Sequence, residues 1–250
     1  MKQLLTTLML FLLAFEIHAD CAMNGLSIYP SGKIINQNSI FILTGYGGSK
    51  DVIIGLNKKY ATYLKCGNTK VKLNVLETNV GQFQLTQAVL KPESELVAGL
   101  EYQFVIDSLP IYEGLGDYDR TTNNYLPLLF KVSKVRDLEK PKILSQPRLL
   151  RKTYVPFGCG PAVYAVFNKS VTDKSGVIVK TKLKNLSTGT ETLFYISPYG
   201  NEILVGHDMC SGGFDLGYSN HFEVEFSFMD SSGNTTSWTG NKVKFTSPTP

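Results

Sequence analysis

Leu96-Val-Ala-Gly-Leu-Glu-Tyr102-Gln-Phe104-Val-Ile106-Asp107 and Leu216-Gly-Tyr-Ser-Asn-His-Phe222-Glu-Val224-Glu-Phe226-Ser-Phe228-Met-Asp230 share one plan. Each sets Leu six residues before an aromatic, then alternates apolar residues into an Asp. Alternation with period two is the mark of a strand with one buried face. Two copies of the same plan, 120 residues apart, argue for two copies of one β-domain.

Strand patterns fill the chain on both sides of this echo. Ser39-Ile-Phe-Ile-Leu-Thr44 is a continuous apolar run ending at Gly45, and Lys70–Val75 alternates. Tyr102, Phe104 and Ile106 share one strand face, and Leu128, Phe130 and Val132 close the first domain. Leu138-Glu-Lys-Pro141-Lys-Ile143 reads as a linker, because proline sets an extended backbone and has no place in a central ladder. Beyond it, Ala162–Phe167 is a second buried strand. Val179, Thr181 and Leu183 form one face of the next, with Lys180 and Lys182 on the other. Phe222, Val224, Phe226 and Phe228 point inward, and Asn241–Phe245 alternates to the end. No helical period competes. The expected fold is all-β, two Greek-key sandwiches in series.

In such sandwiches a Tyr opening the penultimate strand folds over a corner and bonds upstream backbone. Tyr102 suits that role, and Gly99 permits the close approach. Phe222 stands at the equivalent place in the second copy, so only packing is expected there. The second domain resembles the bacterial immunoglobulin-like domains found in tandem in exported and surface proteins. The resemblance rests on Phe226-Ser-Phe-Met-Asp230-Ser-Ser-Gly233-Asn234-Thr235 before a closing strand, and on the entry Asp137-Leu-Glu-Lys-Pro141. It covers roughly the last 110 residues and implies immunoglobulin-like Greek-key sandwiches. The first domain departs from the pattern: a long segment, Ile111 to Asn124, precedes its last strand in place of the Gly-Asn turn.

The N-terminus sets the compartment. Met1-Lys2 leads an apolar run from Leu4 to Phe15, then Ile17-His18-Ala19, which reads as a secretory signal cleaved after Ala19. Asp20 argues against lipid attachment at Cys21. No later segment is long and apolar enough to cross a membrane as a helix. The expected division is a signal peptide over 1–19, one domain over 20–137 and a second over 138–250. Export makes disulfides the natural reading of Cys21, Cys66, Cys159 and Cys210. Two cysteines per domain make Cys21–Cys66 and Cys159–Cys210 the simplest of three pairings.

Candidate sites are few. The loop from Ile111 to Asn124 brings Tyr112, Tyr118 and, just beyond it, Tyr125, residues that give large contact area at low entropy cost. Asp117, Asp119 and Asn123 in the same loop offer oxygens for calcium, although the distant bidentate Glu of a helix–loop–helix calcium site is missing. Trp238, the single tryptophan, is either a sugar-stacking platform or a packed edge residue. His207-Asp208-Met209-Cys210 has copper-ligand chemistry, but Cys210 suits a disulfide better. From Lys131 to Lys152 eight basic residues face two acidic ones, a local +6 in a chain of net charge +4. This belt is either a solvated connection or a site for an acidic partner. Nucleic acid is not expected of an exported chain whose basic residues lack interleaved aromatics.

No nucleophile elbow is present, and oxidised cysteines cannot act as nucleophiles. The expectation is an exported, non-enzymatic binding or structural protein without cofactor, periplasmic, secreted or at the cell surface. It would act as an interaction or adhesion module toward a protein or a cell-envelope polysaccharide. A carbohydrate- or cation-binding accessory module is the alternative, and a small exported hydrolase the further one.

Overall fold

The computed structural model describes residues 21, 24–110, 113–218 and 220–248; the signal segment and Tyr112 lie outside them. The chain is all-β. In the first half, β1 (Gly25–Tyr29), β3 (Phe41–Tyr46), β6 (Leu85–Pro92) and β5 (Thr69–Val80) lie side by side in the order β1-β3-β6-β5. The order continues from β5 through β4 (Thr62–Cys66), β7 (Glu101–Ile106) and β10 (Leu129–Val132) to β2 (Ile34–Ile35). Strand β5 belongs to both faces. Thr69–Lys72 pairs with β4, Leu73–Val80 pairs with β6, and the register shifts between Val75 and Glu77. A shift of this kind bends a strand and re-aims it, which lets one curled sheet fold into a sandwich. A 3-10 turn (Gly47–Ser49) and the short helix α1 (Lys50–Ile54) follow β3.

The second half holds β12 (Leu149–Phe157), β13 (Gly160–Asn168) and β17 (Glu202–His207) in one sheet. Facing them are β16 (Glu191–Ile196), β15 (Val177–Asn185) and β18 (His221–Asp230). Strands β19 (Thr235–Ser237) and β20 (Val243–Thr246) both pair with β18. A small ladder of β11 (Lys142–Ile143) and β14 (Val171–Thr172) sits beside these sheets. This is an antiparallel β-sandwich of three strands against four, its last strand interrupted.

The alternating positions face the cores as expected. Tyr102, Phe104, Ile106, Phe130 and Val132 are buried in the first core, with Phe41 packed edge-on against Phe104 at 5.5 Å. Val179, Leu183, Phe222, Val224, Phe226 and Phe228 are buried in the second, around Phe167. Burying one such aromatic stabilises by roughly 1.5–3 kcal/mol.

The two corner segments behave differently, as their residues require. Val97 N–H donates to the Tyr102 hydroxyl at 3.3 Å, and Gly99 turns the chain at φ 81°. In the second copy Gly217 turns at φ 52°, and Phe222 stacks on Phe245 with centroids 5.3 Å apart. Tyr102→Phe should therefore cost about 1 kcal/mol, the worth of one buried hydrogen bond. Urea unfolding of the variant checks this; a loss under about 0.3 kcal/mol would mean that the ring alone holds the corner.

The continuous run in β3 has a cause the pattern did not reveal. Phe41 and Leu43 enter the first core, while Ile40 and Ile42 face the other way. There they join Val89, Ile178, Tyr195 and Met229 in a third apolar cluster, drawn from both halves. A strand covered on both faces loses its alternation. Backbone bonds also cross the junction: Ile40 N–H donates to Ser231 O at 2.9 Å, and Gly212 N–H to Phe83 O at 2.7 Å.

The cysteine pairing differs from the expected one. Cys21 bonds to Cys210, 189 residues away, with Cα atoms 5.6 Å apart. Cys66 and Cys159 are thiols, half-buried and exposed respectively. Cys66 ends β4, and β3, β6 and β5 stand between that strand and β1, which follows Cys21. The assumption that each disulfide stays within its domain fails because the domains pack against each other.

Candidate functional site

The long segment before β10 forms a structured hairpin of β8 (Tyr118–Asp119) and β9 (Asn124–Tyr125). Local chemistry makes its turn. Asp119 Oδ1 accepts Thr121 N–H at 2.8 Å, and Oδ2 accepts the Thr122 hydroxyl at 2.9 Å. These two donors hold the Asp119 carboxyl below its ordinary range, the Thr121 N–H first. Asn123 takes φ 53°, which asparagine tolerates, and its Oδ1 accepts the Tyr118 hydroxyl. Leu126 N–H closes the hairpin on Asp117 O at 2.8 Å.

Both hairpin tyrosines are displayed. Their rings meet edge to face at 5.1 Å, with Tyr118 48% and Tyr125 38% exposed, and exposed Leu126 lies beside them. Tyr125 packs over Gly114, where any side chain would collide with the ring. Below the hairpin a groove of about 360 Å³ runs along β7, lined by Gln103, Val105, Leu109 and Tyr125. The segment is anchored at its start: buried Glu113 accepts the hydroxyl of buried Ser49 at 2.7 and 2.6 Å. An aromatic pair held rigidly on a sheet end is a contact surface with little ordering cost.

The other sequence candidates do not join it. Asp119 and Asn123 turn their oxygens into the turn's own hydrogen bonds, so no calcium cage forms with Asp117. Trp238 lies on the second domain, half-buried over Gly240, with its indole N–H on Asn241 O at 3.3 Å. His207 is buried against Phe83 at 4.6 Å with Nδ1 on Asp208 O at 2.9 Å, and Cys210 is in its disulfide, so the copper group is not assembled. Two of the eight cations of the basic belt pair with acids, Arg136 with Glu95 at 2.6 Å and Arg151 with Glu202 at 2.5 Å.

One constellation escaped the sequence reading. Asp137, Asp173 and Asp230 each bring a carboxylate oxygen to within 4.8 Å of the others. They come from the connection between the halves, the loop after β14 and the end of β18. The Asp230–Asn234 turn was visible in the sequence as a turn. Nothing in the sequence placed Asp173 beside it.

No protein-family model matches the chain, and no curated protein is similar to it at a significant level. Among solved structures, it is similar to a pullulanase complexed with maltotriose from Anoxybacillus sp. LM18-11, at 8% identity over 82% of this chain and 24% of that one, with a TM-score of 0.26. It is similar to type I pullulanase from Bacillus subtilis str. 168 complexed with maltose, at 9% identity over 89% of this chain and 24% of that one, TM-score 0.26. The tandem Ig repeats of Dlar match at 10% identity over 90% and 97% of the two chains, TM-score 0.23. The chain spans about a quarter of the length of the pullulanases it matches. At TM-scores this low the likenesses decide nothing about what it binds or does.

Proposed function

We propose that the chain is an exported, non-enzymatic interaction or structural module. In this reading two sandwiches form a stiff body that presents the Gly114–Leu126 hairpin to a protein or to a cell-envelope polysaccharide. The observation that carries the reading is the hairpin itself: two exposed tyrosines pre-ordered on a scaffold whose domains are packed together. The apolar leader in the sequence supports export.

A pull-down on isolated peptidoglycan sacculi and on an array of envelope polysaccharides tests it. The chain is expected to bind at least one of them. Tyr118→Ser with Tyr125→Ser should weaken that binding by ~10-fold or more, since truncating hot-spot aromatics costs at least ~1–2 kcal/mol each. The global melting temperature should change little, because both side chains lie outside the two buried cores. Undiminished binding by the double variant would remove the hairpin from the reading. Release of shortened saccharides would turn it toward a hydrolase.

A further inference from the structure

We propose that the outer face of β4 and β5 binds an extended polyanion, a carboxylate- or sulfate-bearing polysaccharide. The inference names a ligand class for the interaction module proposed above; it rests on that reading, but on different side chains. Leu64, Val71 and Leu73 are buried in the first core, so Tyr63, Lys65, Lys70 and Lys72 stand on the outside. Register sets them in rows: Lys65 lies opposite Lys70, and Tyr63 opposite Lys72. On the other side of β4, Lys65 meets Gln103 and Tyr63 meets Val105 of β7.

Lys58 and Lys59 join them from the turn after α1. Asn57, at φ 55°, fixes that turn: its Nδ2 donates to Leu73 O at 2.6 Å, and its Oδ1 accepts Thr62 N–H at 3.3 Å. The N–H groups of Lys58 and Lys59 both donate to Gly55 O, at 3.0 and 2.8 Å. The result is a hollow of about 420 Å³, in whose lining Lys58, Lys59, Lys70 and Lys72 outnumber Glu93 and Asp107. Asp107 accepts the Tyr63 hydroxyl at 2.9 Å, and Glu93 accepts the Lys72 backbone N–H at 3.2 Å. The Lys70 ammonium lies over the Tyr63 ring at 4.1 Å. Among the described residues, Lys58, Lys65, Lys70 and Lys72 form no ion pair.

The pairing of the strands points to a ligand as well. Like charges directly opposite on paired strands repel, so Lys65 against Lys70 weakens the sheet that carries them. Elsewhere the same chain compensates its strand lysines. Along β15, Lys180 meets Glu77 at 3.2 Å, Lys182 meets Glu191 at 2.8 Å, and Lys184 meets Glu191 at 3.6 Å. The face of β4 and β5 lacks that compensation, and a bound anion supplies it.

Shape and residue type select the anion. The groove below the tyrosine hairpin is lined by Gln103 and Val105, the cross-strand neighbours of Lys65 and Tyr63. Hairpin groove and lysine hollow therefore lie one strand apart on the same sheet. A flat bilayer cannot reach the floor of a hollow; a thin chain can. Lysine is a compact point charge on a flexible stem, so it takes carboxylate or sulfate without demanding a bidentate geometry. A chain with repeated charges engages several of these ammonium groups at once, and each linked contact raises the effective concentration for the next. A single small anion gains nothing from the row.

The test measures binding of the full chain to immobilised polygalacturonate and dextran sulfate, with neutral dextran as the reference. Binding to at least one polyanion is expected, and none to neutral dextran. It should weaken ~10-fold or more as salt rises from ~0.01 to ~1 M. Lys65→Gln with Lys70→Gln and Lys72→Gln should weaken it by roughly 10-fold, the combined effect of three exposed ion pairs. The Tm of that variant should be equal or higher, because the Lys65–Lys70 repulsion is relieved. Lys134→Gln with Lys140→Gln and Lys142→Gln removes the same charge from the connection and should leave binding nearly unchanged. Equal loss in both triple variants would reduce the effect to net charge and overturn the proposal. So would failure to bind either polyanion, salt-insensitive binding, equal binding to neutral dextran, or tighter binding to phosphatidylglycerol vesicles than to either polymer. Tyr118→Ser with Tyr125→Ser on the same polymer separates the two readings. If only the lysine variant loses binding, the hairpin reading fails and this one stands; if only the hairpin variant does, this one fails.

Discussion

Gly206→Ala should unfold the second domain under conditions where the native chain is folded. Gly206 lies inside β17 at φ 150°, a conformation that residues with a Cβ rarely adopt. A Cβ there would overlap the Val163 carbonyl oxygen and stand 3.0 Å from Tyr164 Cα. Both are backbone atoms of β13, the central strand of its sheet, paired with β17 through Tyr164 and Gly206. No rotamer change relieves such an overlap, so the ladder must part. Strain of this kind costs on the order of 3–5 kcal/mol, at the severe end for a single substitution. A domain stable by about 5–15 kcal/mol loses a large share of its stability. Trp238, on the second domain, is the single tryptophan, so its fluorescence in urea follows that domain. Gly158→Ala is the control, with no atom near its Cβ and an ordinary φ; it should change little. A Gly206→Ala chain within about 1 kcal/mol of native would show that β17 can shift to accept the methyl.

Gln87→Leu should uncouple the two domains. Gln87 sits in β6, buried, on the face away from the first core. Its Nε2 donates to Tyr195 O and its Oε1 accepts Tyr195 N–H, each at 2.9 Å. Tyr195 belongs to β16, the edge strand of its sheet. The primary amide of one domain therefore pairs with the exposed edge of the other as a neighbouring strand would. Beside it, Tyr195 donates its hydroxyl to Glu77, and Lys180 reaches the same Glu77 at 3.2 Å. Leucine fills the volume of glutamine but leaves a buried N–H and a buried C=O unpaired. Each orphan costs about 1–3 kcal/mol, so the junction should weaken by about 2–5 kcal/mol. Calorimetry should then resolve two transitions where the native chain, coupled through its third apolar cluster, gives one. A single unshifted transition in Gln87→Leu would mean that the apolar contacts alone hold the domains.

Single-face strands were readable residue by residue. Tyr102, Phe104 and Ile106, or Phe222, Val224 and Phe226, alternate because one face meets a core and the other meets water. The Tyr102 corner was readable too, since a hydroxyl, a glycine and their spacing are local properties. The junction was not. Ile40, Ile42 and Val89 are as apolar as the core residues beside them, and nothing in β3 says whether the second cover is its own domain or the next. Gln87 reads as one polar residue in a strand. Its partner, Tyr195, is 108 residues away. The tyrosine hairpin was legible as a long segment between strands, but the partners of its acids were not. Asp119 turns inward, where Thr121 N–H and the Thr122 hydroxyl donate to it.

The cysteines and the acidic cluster mark the same boundary. The sequence alone determined the single-face strands around Tyr102 and Phe222, their buried faces and the Tyr102 corner, because each depends on spacing within a dozen residues. The pairing of Cys21 with Cys210, the meeting of Asp137, Asp173 and Asp230, and the amide clasp of Gln87 depend on how two finished sandwiches dock. Docking is decided by complementarity between surfaces assembled from distant strands. Only the tertiary structure brings those surfaces together.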